Sequence, residues 1–188
     1  MRAASATALL ALLLGGCASV SSVPPVVEVP AQSFANWTLQ GRIGVQGGEQ
    51  NLSGQIRWQH RADRDELLMT SPLGQGVARI VRDGDGVTLE VPNQPTRHAR
   101  DADTLTREAL GYVLPVTGLT WWVQARPAPG SAFEATRDAS GRLAQLKQDG
   151  WTIDYLQYAA DASARPRKLV VAREGLEIRL VADSWQNE

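Results

Sequence analysis

The chain has 188 residues, with 19 basic and 20 acidic side chains and a formal net charge of −1 at pH 7. This balance argues against a nucleic-acid-binding protein, which normally carries a clustered basic excess. A single cysteine excludes both an intramolecular disulfide and a multi-cysteine zinc site.

The first segment is a short apolar leader that ends at that cysteine. A positive Met1-Arg2 start precedes residues 3–14, which are apolar apart from one serine and one threonine. A bilayer-spanning helix needs about 20 apolar residues, so this stretch predicts a secretory signal peptide instead. Leu14-Gly15-Gly16-Cys17 resembles a bacterial lipobox, which implies cleavage before Cys17 and lipidation of its sulfur and its amine. The alternative is an ordinary signal peptide with an incidental cysteine.

Three parts are therefore expected: a lipoprotein signal peptide (1–16), a lipid-anchored flexible tether (17–33) and one domain (34–188). Residues 18–33 mix Pro, Ser and Val with a single charge, and as a coil they span roughly 20–25 Å. An edge strand near Val26 to Val29 is the alternative for part of the tether.

From Trp37 the sequence alternates with the period of antiparallel strands that have one wet face. Trp37 and Leu39 share an apolar face, and Ile56 and Trp58 share another. Further strands are predicted at Asp65–Thr70, Gly76–Arg82, Val87–Val91, Phe133–Arg137, Leu143–Gln148, Trp151–Tyr158, Arg167–Arg173 and Leu176–Ala182.

The middle of the chain predicts two helices. Asp101 or Asp103 can cap a helix that runs to about Leu110 and stops at Gly111. A second short helix is expected at about residues 119–124. About ten strands with one or two helices predict a mostly β (α+β) fold, in which a curved antiparallel sheet or barrel carries helices on its open mouth.

The residues offer little chemistry. No G-x-S-x-G, phosphate-binding loop or dinucleotide motif occurs. His60, at a strand end, and His98, in a polar loop, are expected to be solvated, and their spacing does not support a metal site. The Asp and Glu residues are expected in turns and on polar faces, and the Asp83–Gly86 segment is expected to be a turn rather than a calcium loop. We therefore expect no enzyme activity, no catalytic residues, no metal and no cofactor.

Six Trp, three Tyr and two Phe supply the remaining signal. They can form either an ordinary β core or the wall of an apolar cavity, and the residues alone leave both interpretations open. Gly41, Gly44 and Gly54, on or near the apolar faces, favour either extra space or, for Gly41 and Gly54, a bulge or close backbone approach.

One loop, Ser71-Pro72-Leu73-Gly74-Gln75-Gly76, has turn formers on both sides of a lone leucine. A lone loop leucine normally folds onto the core, so propensity favours a buried Leu73. If Leu73 instead projects, it can dip into a bilayer and gain roughly 1.5–3 kcal/mol.

Several short motifs occur in a characteristic order: Trp37-x-Leu39-x-Gly41-Arg42, Ser53-Gly54-x-x-x-Trp58, Ser71-Pro72-Leu73-Gly74, Leu110-Gly111 with Pro115-Val116, Leu119 and Trp122, Gln148-x-Gly150-Trp151-x-x-x-Tyr155, and Trp185. Together they resemble the LolB family of outer-membrane lipoprotein receptors from Trp37 to Trp185. The family usually has glycine where this chain has Ala125.

The resemblance implies an incomplete antiparallel β-barrel of about eleven strands, with a helical lid and an apolar cavity. It also implies transfer of triacylated lipoproteins from a LolA-like periplasmic carrier to the inner leaflet of the outer membrane, without nucleotide hydrolysis, by a lipid-anchored monomer that faces the periplasm. Pro72, Leu73 and Gly74 would form the membrane-insertion loop, which reverses the expectation of a buried Leu73. The cavity and lid candidates are Trp37, Leu39, Ile56, Trp58, Leu105, Leu119, Trp122, Trp151 and Tyr155.

Two alternatives stay open at this point. One is a static lipid or small-apolar-ligand binder of lipocalin-like kind. The other is a structural outer-membrane lipoprotein whose filled barrel only supports a partner.

Overall fold

The computed structural model describes residues 36–47, 51–161 and 164–187. The predicted signal peptide (1–16), Cys17, the tether (17–33) and the possible edge strand near residues 26–29 lie outside the described residues. Within the described ranges the chain forms β1 Asn36–Gln46, β2 Leu52–Arg61, β3 Arg64–Thr70, β4 Gly76–Asp83, β5 Gly86–Glu90, β6 Arg97–Ala99, α1 Ala102–Leu110, α2 Val116–Trp122, β7 Phe133–Arg137, β8 Leu143–Gln148, β9 Trp151–Tyr158, β10 Pro166–Arg173 and β11 Leu176–Asn187.

The eleven strands form one antiparallel sheet in the order β6-β5-β4-β3-β2-β1-β11-β10-β9-β8-β7. The first and last strands pair at its centre, where Ile43 lies opposite Leu180. Because β6 and β7 stand at the two ends of this order, the sheet is open rather than closed. The predicted incomplete antiparallel barrel of about eleven strands is therefore confirmed.

The hydrophobic core lies on one face of the sheet, together with both helices. Along β1 the inward positions Leu39, Ile43 and Val45 are buried, and Leu105 of α1 and Leu119 of α2 belong to the same cluster. Each large apolar side chain removed from water contributes roughly 1.5–3 kcal/mol. The strand alternation thus decides which face the helices cover.

The capping signals of α1 are confirmed. The Asp101 carboxylate accepts the Thr104 N–H at 2.8 Å, and Gly111, with a φ of 77°, donates its N–H to the Arg107 carbonyl. Glycine adopts this left-handed conformation without the steric cost that a Cβ brings.

The boundaries predicted for the second helix were wrong, since α2 runs from Val116 to Trp122 instead of from about 119 to 124. Pro115 precedes it with a φ of −78°. Proline has a fixed φ and no N–H, and both properties suit the start of a helix.

Strand β6 was missed, and His98 lies within it instead of in a loop. The strand has only three residues, which leaves too short a stretch for alternation to be visible. His98 is exposed, and its Nδ1 lies 2.9 Å from the Thr88 hydroxyl.

The glycines on the apolar faces allow close backbone approach. A Cβ at Gly41 would lie 2.0 Å from the Val181 carbonyl oxygen, and one at Gly54 would lie 2.0 Å from that of Thr70. Any side chain at either position would therefore force the strands apart. The expectation of a close backbone approach is therefore confirmed for both glycines.

Neither helix within the described residues is long and apolar enough to cross a membrane.

Candidate functional site

The nine cavity and lid candidates all point into the interior, where each is at most 7% exposed. They come from the sheet and from both helices, and all belong to one apolar cluster. The tryptophans among them pack in pairs. The ring centroids of Trp37 and Trp58 are 5.2 Å apart in an edge-on arrangement, and those of Trp122 and Trp151 are 6.3 Å apart. The structure therefore brings these candidates together, while their contact with a ligand remains a prediction.

A buried carboxylate, Asp65, lies beside Trp58 near the start of β3 and is fully shielded from solvent. Its Oδ1 accepts the Trp58 indole N–H at 2.9 Å, and His60 Nδ1 lies 2.8 Å from the same oxygen. Because an ionised carboxylate only accepts hydrogen bonds, His60 Nδ1 carries the proton. The second oxygen accepts from Arg82 Nε at 3.0 Å and from Arg82 Nη2.

The ionisation of Asp65 depends on these partners. Burial by itself raises the pKa of the carboxyl, but the His60 hydrogen bond and the charge of Arg82 bring the pKa below its usual value. A buried charge is tolerated when it is paired and hydrogen-bonded. Asp65 is therefore a carboxylate that supports the sheet from inside.

The sequence-based expectations for Asp65 and His60 were wrong. His60 was expected to be solvated, but it is buried, and Asp65 was expected with the other carboxylates on a polar face. Both occupy the inward register of their strands, since Asp65 alternates with the buried Leu67 and Met69. That alternation is the signal that could have identified them.

Helix α2 reaches this carboxylate through Thr120. Its hydroxyl lies 3.2 Å from Asp65 Oδ2 and 2.9 Å from the Val116 carbonyl within the same helix. The contact joins α2 to β3 across 55 residues of chain.

The end of α2 is held by a different set of groups. The Trp122 indole N–H donates to Gln148 Oε1 at 2.9 Å, and the Tyr155 hydroxyl donates to the Trp122 carbonyl at 2.9 Å. Gln148 also accepts the Ala128 N–H and donates to the Ala128 carbonyl, both at 2.8 Å. Burial raises the pKa of Tyr155 well above its usual value, which keeps its hydroxyl protonated as a donor.

The predicted insertion loop projects from the sheet between β3 and β4. Leu73 is 90% exposed, so the expectation from propensity that it is buried was wrong. The Ser71 N–H donates to the Gln75 carbonyl at 2.7 Å, and the Gly74 N–H donates to the Ser71 carbonyl at 2.8 Å. The leucine is therefore presented on a hydrogen-bonded turn.

A groove of about 410 Å³ opens between α1 and the start of β4, close to this loop. Its apolar wall includes the half-buried Leu52, Val77 and Val91 from the sheet and Leu110 from the helix. The same four side chains pack against the apolar core.

Among the described residues, no group of three or more His, Cys, Asp or Glu side chains is placed to hold a metal ion. The lipidation candidate Cys17 lies outside them.

Solved structures share this architecture at low sequence identity. An outer membrane lipoprotein-sorting protein domain from Vibrio parahaemolyticus matches with a TM-score of 0.50 and 8% identity, over 82% of this chain and 86% of that one. A DUF1329 family protein from Desulfovibrio piger matches with a TM-score of 0.52 and 6% identity, over 84% and 87%. The fold is thus that of an open, curved antiparallel sheet that wraps around internal helices.

Sequence comparison identifies the family within this class. The profile described as "Outer membrane lipoprotein LolB" matches residues 35–185. Proteins named outer-membrane lipoprotein LolB are 62% identical in Thiobacillus denitrificans, over 100% of this chain and 99% of the relative, and 38% identical in Cupriavidus pinatubonensis, over 92% and 89%. The chain therefore belongs to the LolB family, and it is an outer-membrane lipoprotein receptor.

Proposed function

We propose that this receptor accepts triacylated lipoproteins from a LolA-like periplasmic carrier and inserts them into the inner leaflet of the outer membrane. The acyl chains occupy the interior between the sheet and the two helices during transfer. The protein acts as a lipid-anchored monomer through Cys17, with residues 17–33 as its tether and 34–188 as its working domain. Ala18 after Cys17, rather than an aspartate, agrees with outer-membrane sorting.

The need for such an interior follows from the cost of exposing lipid. Each CH₂ group exposed to water costs about 0.8 kcal/mol, so a triacylated protein cannot cross an aqueous gap unaided. The nine candidates supply an apolar surface that can replace water around the chains. The proposed transfer breaks no covalent bond and needs no nucleotide, because a gradient of affinity from carrier to receptor to bilayer gives it direction.

The observation that carries the proposal is the exposure of Leu73 on its hydrogen-bonded turn. A leucine held in water loses the roughly 1.5–3 kcal/mol that burial would supply. Insertion of this side chain among lipid tails recovers that free energy. The groove between α1 and the start of β4, whose lining combines apolar side chains with Asn51, Gln94, Arg107 and Glu108, is the proposed path from the interior to the bilayer.

A transfer assay tests the two halves of the proposal separately. Carrier loaded with a labelled lipoprotein is mixed with the receptor, and liposomes are added in a second step. We expect Leu73→Glu to accept cargo nearly as well as the unmodified protein and to deliver it to liposomes at least tenfold more slowly, because a charge in the bilayer costs several kcal/mol.

The matched control is Leu156→Glu, since Leu156 is 56% exposed but lies on β9. Normal delivery by Leu73→Glu, or equal loss in the two variants, would refute the role of Leu73. Failure of the unmodified receptor to accept cargo would instead favour a static lipocalin-like binder or a filled structural lipoprotein.

A further inference from the structure

Helix α2 is attached to the sheet in two unlike ways. At its C-terminal end Trp122 is hydrogen-bonded through its side chain to Gln148 and through its backbone to Tyr155. On the opposite flank, within the described residues, the Thr120 hydroxyl provides the polar contact to Asp65 of β3. The first attachment uses several groups, whereas the second uses one.

Asp65 receives more donors than it needs. Trp58, His60 and two nitrogens of Arg82 already point at its two oxygens. An ionised carboxylate has about four acceptor positions, so these four donors are enough to satisfy it. Thr120 is a fifth donor, and at 3.2 Å its hydroxyl is farther from the carboxylate than the donor atoms of Trp58 and His60 and the Arg82 Nε.

Thr120 also has a second acceptor for its single proton. The Val116 carbonyl lies 2.9 Å from the hydroxyl and belongs to the same helix. If α2 moves away from β3, the proton stays bonded within the helix. Asp65 meanwhile keeps Trp58, His60 and Arg82, so that separation leaves neither partner unpaired.

An unpaired buried polar group is normally the main polar cost of opening a packed interface, and this interface avoids it. The remaining cost is the modest net worth of the Thr120–Asp65 hydrogen bond and the loss of apolar contacts, since Val116 and Leu119 of α2 are buried against the core. Acyl chains that enter the interior can replace those apolar contacts. A ligand that binds the open state better shifts the equilibrium toward it.

We infer that the Thr120–Asp65 hydrogen bond is a releasable contact, called the fastener below. Helix α2 opens away from β3 when this bond breaks, while its C-terminal end stays attached at Trp122. Thr120 and Asp65 are thus positioning residues for acyl-chain entry rather than residues that bind the chains. The inference rests on the proposed function in one respect, because it assumes that the interior receives acyl chains.

Hydrogen–deuterium exchange of the ligand-free protein tests the fastener directly. Thr120→Val keeps the shape of the side chain but removes the hydroxyl. We expect it to speed the exchange of α2 amides by about three- to tenfold, which corresponds to one net hydrogen bond. Amides of β1 and β2 should exchange at the unmodified rate. Thr120→Ser, which retains the hydroxyl, should behave like the unmodified protein.

The control is Thr117→Val, since Thr117 lies on the same helix but is exposed; it should leave α2 exchange unchanged. Unaltered α2 exchange in Thr120→Val would overturn the fastener. So would an equal acceleration in Thr117→Val, or faster exchange across the whole sheet, because the hydroxyl would then have a general structural role.

A second measurement links the opening to ligand entry. Uptake of a fluorescent fatty-acyl probe should be about three- to tenfold faster in Thr120→Val, because a larger fraction of molecules is open. Unchanged uptake despite faster exchange would mean that this opening is not the entry route, and it would overturn the inference. Failure of the unmodified protein to bind the probe would refute the proposed function, whereas the ligand-free exchange would still judge the fastener.

Discussion

The two flanks of helix α2 are attached to the sheet by different kinds of polar contact. On the β8–β9 flank the neutral side chain of Gln148 is bonded on both sides, to Trp122 and to Ala128. On the β3 flank the charged Asp65 has a surplus of donors, and Thr120 has an alternative acceptor. Gln148 also has Ala128 and Ser131 as partners, but the Trp122 indole has no second acceptor among the described residues, so the β8–β9 flank acts as a hinge. A flank with replacements on both partners can release. The number of alternative partners therefore distinguishes the two attachments.

The largest effect is expected from removing the carboxylate itself. Asp65→Ala leaves the donors of Trp58, His60 and Arg82 without their acceptor in a buried place. Breaking a buried charge pair in this way costs about 3–5 kcal/mol. We expect the free energy of unfolding, measured by urea denaturation, to fall by about that amount. A loss below about 1 kcal/mol would show that the cluster is not a buried ion pair in solution.

The stabilisation that Asp65 provides is also expected to depend on pH. The folded-state pKa of Asp65 is lowered from the ordinary value, so its stabilisation is fully present above the unfolded-state pKa of about 3.9. It is lost as the pH falls through the lower, folded-state pKa. The stability difference between the unmodified protein and Asp65→Ala should therefore narrow between pH 5 and pH 3. A constant difference across this range would contradict the ionised state of Asp65.

A smaller loss is expected on the hinge flank. Gln148→Leu removes the acceptor of the Trp122 indole and of the Ala128 N–H, and we expect a loss of about 1–3 kcal/mol. In hydrogen exchange, α2 and the neighbouring ends of β8 and β9 should lose protection together, unlike the local effect of Thr120→Val. Gln157→Leu, at an exposed position of β9, is the control and should change stability by less than about 0.5 kcal/mol. If only α2 lost protection in Gln148→Leu, the two flanks would not differ in kind.

The sequence predicts most of the sheet because strand alternation is a local signal. The inward register of Trp37, Leu39, Ile56 and Trp58 and the caps of α1 at Asp101 and Gly111 could all be identified from neighbouring residues. The structure confirms both the register and the caps.

What the sequence does not predict depends on contacts between distant segments. The exposure of Leu73 runs against propensity, since a lone leucine gains free energy by burial, and only family resemblance pointed to it. The roles of Asp65 and His60 require knowledge that β3 and β4 place Arg82 opposite Asp65. Strand β6 is too short to show a period, and α2 begins directly after Pro115 because of a backbone constraint rather than an apolar pattern.

The smallest effect concerns the turn that follows α2 and sets its hinge. Ala125 has a φ of 55°, and its N–H donates to the Trp122 carbonyl at 3.0 Å. The resemblance to the family implies glycine at this position, and glycine adopts such a left-handed backbone without the strain that a Cβ brings. We expect Ala125→Gly to raise the free energy of unfolding by about 0.5–1 kcal/mol, measured by urea denaturation. Ala144→Gly in β8 makes the same chemical change within a strand and should lower it by a similar amount. Opposite changes in the free energy of unfolding for the two variants would show that the backbone of this turn, rather than the lost methyl group, determines the result. A decrease in both variants would mean that the strain of the hinge does not lie at Ala125.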